Sequence, residues 1–201
     1  MTARIALFDL GNVVVDWEPA RLYRQLMDAD SAARFCEEVC TMEWHNAHDR
    51  GVSMVDNALP LIEKHPDKAE LIRAWSSRWL DMFHGYVDGV PELITALGQR
   101  KIPLYALTNF PGEKWAETAD AFPVLNDFAD VVISSEVRMA KPDRAIYALT
   151  LERMGNPEPG EVFFTDDRQD NIDVASSVGM ITHRFVTAAG LKAALTEHGL
   201  L

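Results

Sequence analysis

Apolar and polar positions along this chain follow two different periods, and the change of period divides it into regions. Short apolar runs bounded by turn residues fall at residues 4–9, 102–108, 130–134, 161–165 and 180–185, and each reads as a buried strand. Helical spacing separates the later runs, as in Pro91-Glu92-Leu93-Ile94 ahead of the second run and in the stretch from Ile146. Strands that alternate with helices are joined by crossovers, so the expected fold is α/β with a parallel sheet. From Pro19 to Met82 the period is helical with almost no strand signal. Leu22, Leu26 and Met27 form one apolar face after Pro19; Phe35, Val39 and Met42 continue the pattern; Leu71, Trp75, Trp79, Leu80 and Phe83 form another. The expected organisation is a core of residues 1–16 and 86–201, with a small helical cap of residues 17–85 inserted after the first strand. No internal repeat or low-complexity tract is visible.

Composition narrows the function. The chain has 201 residues, 48% of them hydrophobic, enough for one sizeable core plus an insertion. A net charge of -12 with no Lys/Arg run argues against nucleic acid, whose binding rests on basic clusters. Cys36 and Cys40 lie four apart in a helical stretch with no second pair, which argues against zinc and a disulfide framework and for reduced thiols. The start lacks a basic segment followed by an apolar stretch, and nowhere do about 18 apolar residues run together. The expectation is a soluble, cytoplasmic protein without a membrane partner, monomeric or homodimeric.

The candidate chemistry lies where the strand-like runs end. Ile5-Ala6-Leu7-Phe8 ends in Asp9, and Gly11-Asn12 follows, a turn that leaves the carboxylate uncovered outside the strand. Leu104-Tyr105-Ala106-Leu107 runs into Thr108-Asn109, Lys141-Pro142-Asp143 precedes the helical stretch from Ile146, and Val162-Phe163-Phe164 runs into Thr165-Asp166-Asp167 with Asn171 four residues later. Each segment has an ordinary explanation: a turn aspartate, a strand cap, a solvated lysine, a solvated acidic turn. Together and in this order they resemble the four motifs of the haloacid dehalogenase (HAD) superfamily of hydrolases, over essentially the whole chain. The opening Phe8-Asp9-Leu10-Gly11-Asn12-Val13-Val14-Val15-Asp16 is similar to a bacterial subgroup related to sugar-phosphate phosphatases.

The resemblance implies a Rossmann-like parallel core with a helical cap, and a role for each motif residue. Asp9 would attack phosphorus and form an aspartyl-phosphate that water then splits. A divalent cation, Mg²⁺, would offset the repulsion between nucleophile and phosphate, with Asp9 and Asp167 as side-chain ligands, the Gly11 carbonyl as another, and Asp166 and Asn171 ligating through water or orienting Asp167. Thr108, Asn109 and Lys141 would hold the phosphoryl oxygens. In the cap, Trp44, His45, His48, Asp49 and Arg50 form the most polar-aromatic cluster. Trp44, His45 and Arg50 are candidates for substrate contact, with cap packing as the competing role, whereas Trp75, Trp79 and Phe83 are expected in the cap's own core.

One position departs from the family. HAD phosphatases usually carry a second Asp two residues after the nucleophile, as the acid and base of the two steps, and here that position is Gly11. Asp16, His45 and Asp49 are replacement candidates, although a surface or cap-packing role is the expected one for each. The reading is a Mg²⁺-dependent phosphatase of a small phosphorylated metabolite, a sugar phosphate first in line. A 2-haloacid dehalogenase, which uses the same nucleophile without metal, is disfavoured by Asp166-Asp167. A non-catalytic relative that binds a phosphometabolite is kept open by Gly11.

Overall fold

In the computed structural model, which describes residues 2–201, the first apolar run becomes the centre of the molecule. β1 (Ile5–Phe8) lies between β4 (Leu104–Thr108) and β6 (Val162–Asp166), with β5 (Asp130–Ile133) and β7 (Ile181–Arg184) outside them, giving the order β5-β4-β1-β6-β7 with every pairing parallel. Side chains of a strand alternate between faces, and β1 divides accordingly. Ala6 and Phe8 join one buried cluster with Leu93, Ile94, Leu191 and Leu195, from α6 (Val90–Gln99) and α11 (Ala188–Glu197). Leu7 joins another with Ile146, Tyr147 and Ile172, from α9 (Arg144–Arg153) and α10 (Gln169–Ser177). A sheet covered on both faces needs apolar residues at every position of its inner strands, so these runs were continuous in the sequence. The α/β Rossmann-like fold is as expected.

Two strands were not anticipated. β2 (Val15–Trp17) and β3 (Phe83–Tyr86) pair antiparallel as a separate two-stranded ribbon at the base of the inserted helices. Three and four residues are too few for a period of two to stand out. Between them run α1 (Ala20–Tyr23), α2 (Ala29–Glu38), α3 (Met42–Asp49), α4 (Met54–Lys64) and α5 (Ala69–Ser77). Asp28, Thr41 and Ser53 cap α2, α3 and α4 by accepting from the backbone N–H three residues on. The face expected to run from Leu71 to Phe83 is broken: α5 stops at Ser77, Trp79–Met82 form a 3-10 turn, and Phe83 belongs to β3. Trp75 and Trp79 are nevertheless buried with Tyr23, Phe35 and Ile72, in a cluster that also takes Phe110 and Ile133 from the sheet side. Cys36 and Cys40 are free thiols. Among the described residues no helix is long and apolar enough to cross a membrane.

Candidate active site

The ends of three neighbouring strands bring the motif residues together. Asp9 follows β1 and its N–H donates to the Thr165 carbonyl (2.9 Å), so it sits beside the end of β6. Carboxylate oxygens of Asp9, Asp166 and Asp167 lie within 4.8 Å of one another. The loop after α8 (Ser134–Val137) is tied to the end of β4 by Asn109, whose amide donates to the Lys141 carbonyl (2.9 Å) and accepts from the Lys141 N–H (2.8 Å). Lys141 is thereby turned inward, only 4% exposed, and its Nζ lies 2.8 Å from Asp9 Oδ1 and 2.7 Å from Asp166 Oδ2.

The two adjacent aspartates differ in environment. Asp166 is fully buried and saturated: Oδ1 accepts from Arg168 N–H and Asn171 Nδ2, and Oδ2 from Lys141 and the same Asn171 amide. Asp167 is half-buried, and among the described residues its carboxylate accepts no side-chain hydrogen bond. Asn171 Oδ1 is buried without a hydrogen-bond partner among the described residues, and such an atom calls for an explanation. Burial raises the Asp9 pKa, against the pull of Lys141, and burial with the Asp166 charge raises that of Asp167. For Lys141 burial opposes the charge, but Asp166 and Asp9 outweigh it and hold the ammonium above the usual lysine value. The centre is thus short of positive charge, and its donors are hard oxygens of the kind Mg²⁺ takes.

A cavity opens from this centre under the inserted helices. Gly11, Thr108 and Asn109 form its polar end; Trp17, Trp79, Phe83 and Phe110 wall the rest, and His45 reaches it from α3. Trp44 lies elsewhere: its indole donates to the Asn57 carbonyl (3.0 Å), stands edge-on to Trp75, and lines a separate groove with Met54 and Ile62. Arg50 is exposed and pairs with Asp143 at 3.2 Å. Asp16 is engaged by Arg21 through both oxygens at 2.8 Å. The sequence reading missed Trp17 and Phe110 as cavity walls, although each directly adjoins a motif residue, Asp16 and Asn109.

A family model of haloacid dehalogenase-like hydrolases matches residues 3–179, a span that takes in Asp9, Thr108, Lys141 and Asp167. The chain belongs to this family. Among relatives of this HAD-like hydrolase, a phosphorylated carbohydrates phosphatase of Thermotoga maritima is 23% identical over 175 residues, covering 87% of this chain and 81% of that protein. A sesquiterpene phosphatase of Aspergillus oryzae is 21% identical over 180 residues, covering 90% and 88%. A HAD family enzyme from Bacteroides thetaiotaomicron, solved with magnesium and inorganic phosphate, superposes with a TM-score of 0.70 at 22% identity, covering 90% of this chain and 93% of that one. These likenesses place the fold of the HAD-like hydrolase firmly, while the relatives' named substrates differ widely.

Proposed function

We propose that the chain is a Mg²⁺-dependent phosphatase of a small phosphorylated metabolite, working through an aspartyl-phosphate on Asp9. The observation that carries the reading is the grouping of Asp9, Asp166 and Asp167 around one buried lysine at the carboxyl ends of parallel strands. Asp167, whose carboxylate accepts no side-chain hydrogen bond among the described residues, and Asp9 are the side chains suited to hold the cation, with the Gly11 carbonyl as a further ligand; Asp166, held by Lys141, Asn171 and the Arg168 N–H, stands behind them. Bound there, Mg²⁺ would neutralise charge shared by the carboxylates and the phosphate. Asp9 attacks phosphorus, Lys141 holds one Asp9 oxygen in place and offers charge to the phosphoryl oxygens, and Thr108 with the backbone after it donates to those oxygens. The Asn109 side chain, used up on Lys141, positions the lysine.

The cavity wall bears on the substrate. Its aromatic lining suits a leaving group with an apolar face, such as the C–H face of a sugar, better than one with several charges. A dehalogenase has no use for the Asp166-Asp167 pair, and a purely binding relative would not turn over. Hydrolysis of 4-nitrophenyl phosphate with Mg²⁺ and with EDTA separates the three, and a panel of sugar and other metabolite monophosphates then names the substrate. Asp9→Asn should abolish turnover in a folded protein; retention of more than about a tenth of the activity would sink the covalent mechanism.

A further inference from the structure

Gly11 leaves the site without a proton donor at the usual position, and α3, the helix that carries His45, also carries a buried carboxyl group at Asp49. His45 and Asp49 are four residues apart on one face of α3, and His45 already lines the cavity beside Gly11 and Thr108. The end of that helix is fixed to the core next to the catalytic lysine. Arg50 pairs with Asp143, two residues from Lys141, and Gly51, at φ +93°, passes so close to α8 that a Cβ there would stand 2.8 Å from the Ser135 carbonyl oxygen. The Asp49 side chain is 9% exposed, and its Oδ1 is buried with no hydrogen-bond partner among the described residues.

A chain of polar groups fixes how His45 faces Asp49. The Asn57 amide donates to the Trp44 carbonyl (2.8 Å) and to His48 Nε2 (2.9 Å), so His48 Nε2 accepts and its proton sits on Nδ1. His48 Nδ1 is 3.1 Å from His45 Nδ1, which therefore accepts, and the His45 proton sits on Nε2, 3.6 Å from Asp49 Oδ1. Burial keeps both imidazoles neutral, lowering His45 to about 3 and His48 to about 4. We propose that Asp49 is the general acid and base of this enzyme, delivered by the inserted helices in place of the carboxylate that Gly11 lacks, and that His45, His48 and Asn57 position it. The groups facing Asp49 are His45 on its own helix, Arg50 beside it and Lys141 from the core. Burial outweighs the two cations and raises the Asp49 carboxyl to about 7, where acid and base forms coexist at neutral pH.

The inference rests on the phosphatase reading. In the first step the Asp9–phosphorus bond forms as the ester P–O bond breaks, and the leaving oxygen takes the Asp49 proton with its new electron pair. In the second, the Asp49 carboxylate takes a proton from water as the water oxygen bonds phosphorus and the Asp9–phosphorus bond breaks. Asp49→Asn should lower kcat on an alkyl phosphate by about 10²-fold or more, the range of general acid–base help. With 4-nitrophenyl phosphate, whose phenolate leaves without a proton, the first-turnover burst should survive while later turnovers slow and phosphoenzyme accumulates. The fall of kcat/KM as pH rises through about 7 should vanish, and Gly11→Asp added to Asp49→Asn should restore alkyl phosphate turnover. A folded Asp49→Asn protein with unchanged leaving-group dependence and pH profile overturns the assignment. Should Asp49→Asn not fold, the wild type decides: kcat/KM nearly independent of leaving-group pKa supports a delivered proton, and a steep dependence refutes it. Failure of the wild type to hydrolyse any phosphate ester would instead overturn the phosphatase reading itself.

Discussion

Replacing Lys141 by Met tests the electrostatics of the site without reference to any substrate. Lys141 is 4% exposed and its ammonium contacts Asp9 and Asp166 at 2.8 and 2.7 Å, so Lys141→Met keeps most of the volume and leaves two buried carboxylates without their cation. Removing one partner of a buried ion pair costs about 3–5 kcal/mol. At roughly 2–4 °C per kcal/mol for a chain of this size, Tm should fall by about 6–20 °C. Asp9, whose pKa burial already raises, is pushed further up without Lys141 and takes a proton in the folded state. The folded variant then binds more protons than the unfolded chain, so its stability falls as pH rises, and the deficit against wild type should be larger at about pH 8 than at about pH 5. Added Mg²⁺ should return part of the loss by supplying charge to the same carboxylates. Thermal melts in EDTA and in Mg²⁺ at both pH values read all three effects. A Tm in EDTA at the higher pH indistinguishable from wild type would refute this account of the centre.

Three other outcomes follow from the same geometry. Asp167→Ala should raise the Mg²⁺ concentration needed for half-maximal activity by about tenfold or more, and an unchanged Mg²⁺ titration would move the metal assignment off Asp167. Gly11 is not at positive φ and a Cβ built on it meets nothing within 4 Å, so Gly11→Asp should fold with a Tm in Mg²⁺ within a few degrees of wild type; a collapse in thermal melts would show that the backbone needs glycine there. His45, held neutral with its pKa near 3 by burial and His48, stabilises the fold fully above the unfolded value of 6.5 and loses that contribution as pH falls towards about 3. The loss reaches about 2 kcal/mol at about pH 5. His45→Gln should therefore narrow its stability gap to wild type on acidification from about pH 7 to about pH 5, as read by urea titration, and a gap independent of pH would contradict the burial argument.

What the sequence disclosed follows from how local each signal is. β1, β4 and β6 are covered on both faces, so their apolar runs were unbroken, and the polar residues that end them stood out. β2 and β3 form a two-stranded ribbon apart from the main sheet and hold too few residues to show a period. The opposite fates of Asp166 and Asp167 depend on donors from Arg168, Asn171 and Lys141, and the tie between the Asn109 side chain and the Lys141 backbone joins residues 32 positions apart. Neither leaves a mark on local pattern. Trp44 and His45 were equivalent in the sequence, yet the rotation of about 100° between successive residues of a helix sends His45 to the cavity and Trp44 to a groove lined by α4 and α5. The apolar set 71–83 had helical spacing, but three different local structures share it.

The β2–β3 ribbon makes the inserted helices separable in a topological sense. The chain leaves the sheet region through Trp17 and returns through Phe83, and these two residues are paired neighbours in the ribbon, with Cα atoms of such partners only about 5 Å apart. Everything from residue 18 to residue 82 therefore hangs from what amounts to a single hairpin position. A tight turn joining Trp17 to Phe83 could replace the whole excursion without altering the strand register, and a different excursion could be grafted onto the same pair. Such a junction lets the chemistry at the strand ends stay fixed while the structure above it is exchanged.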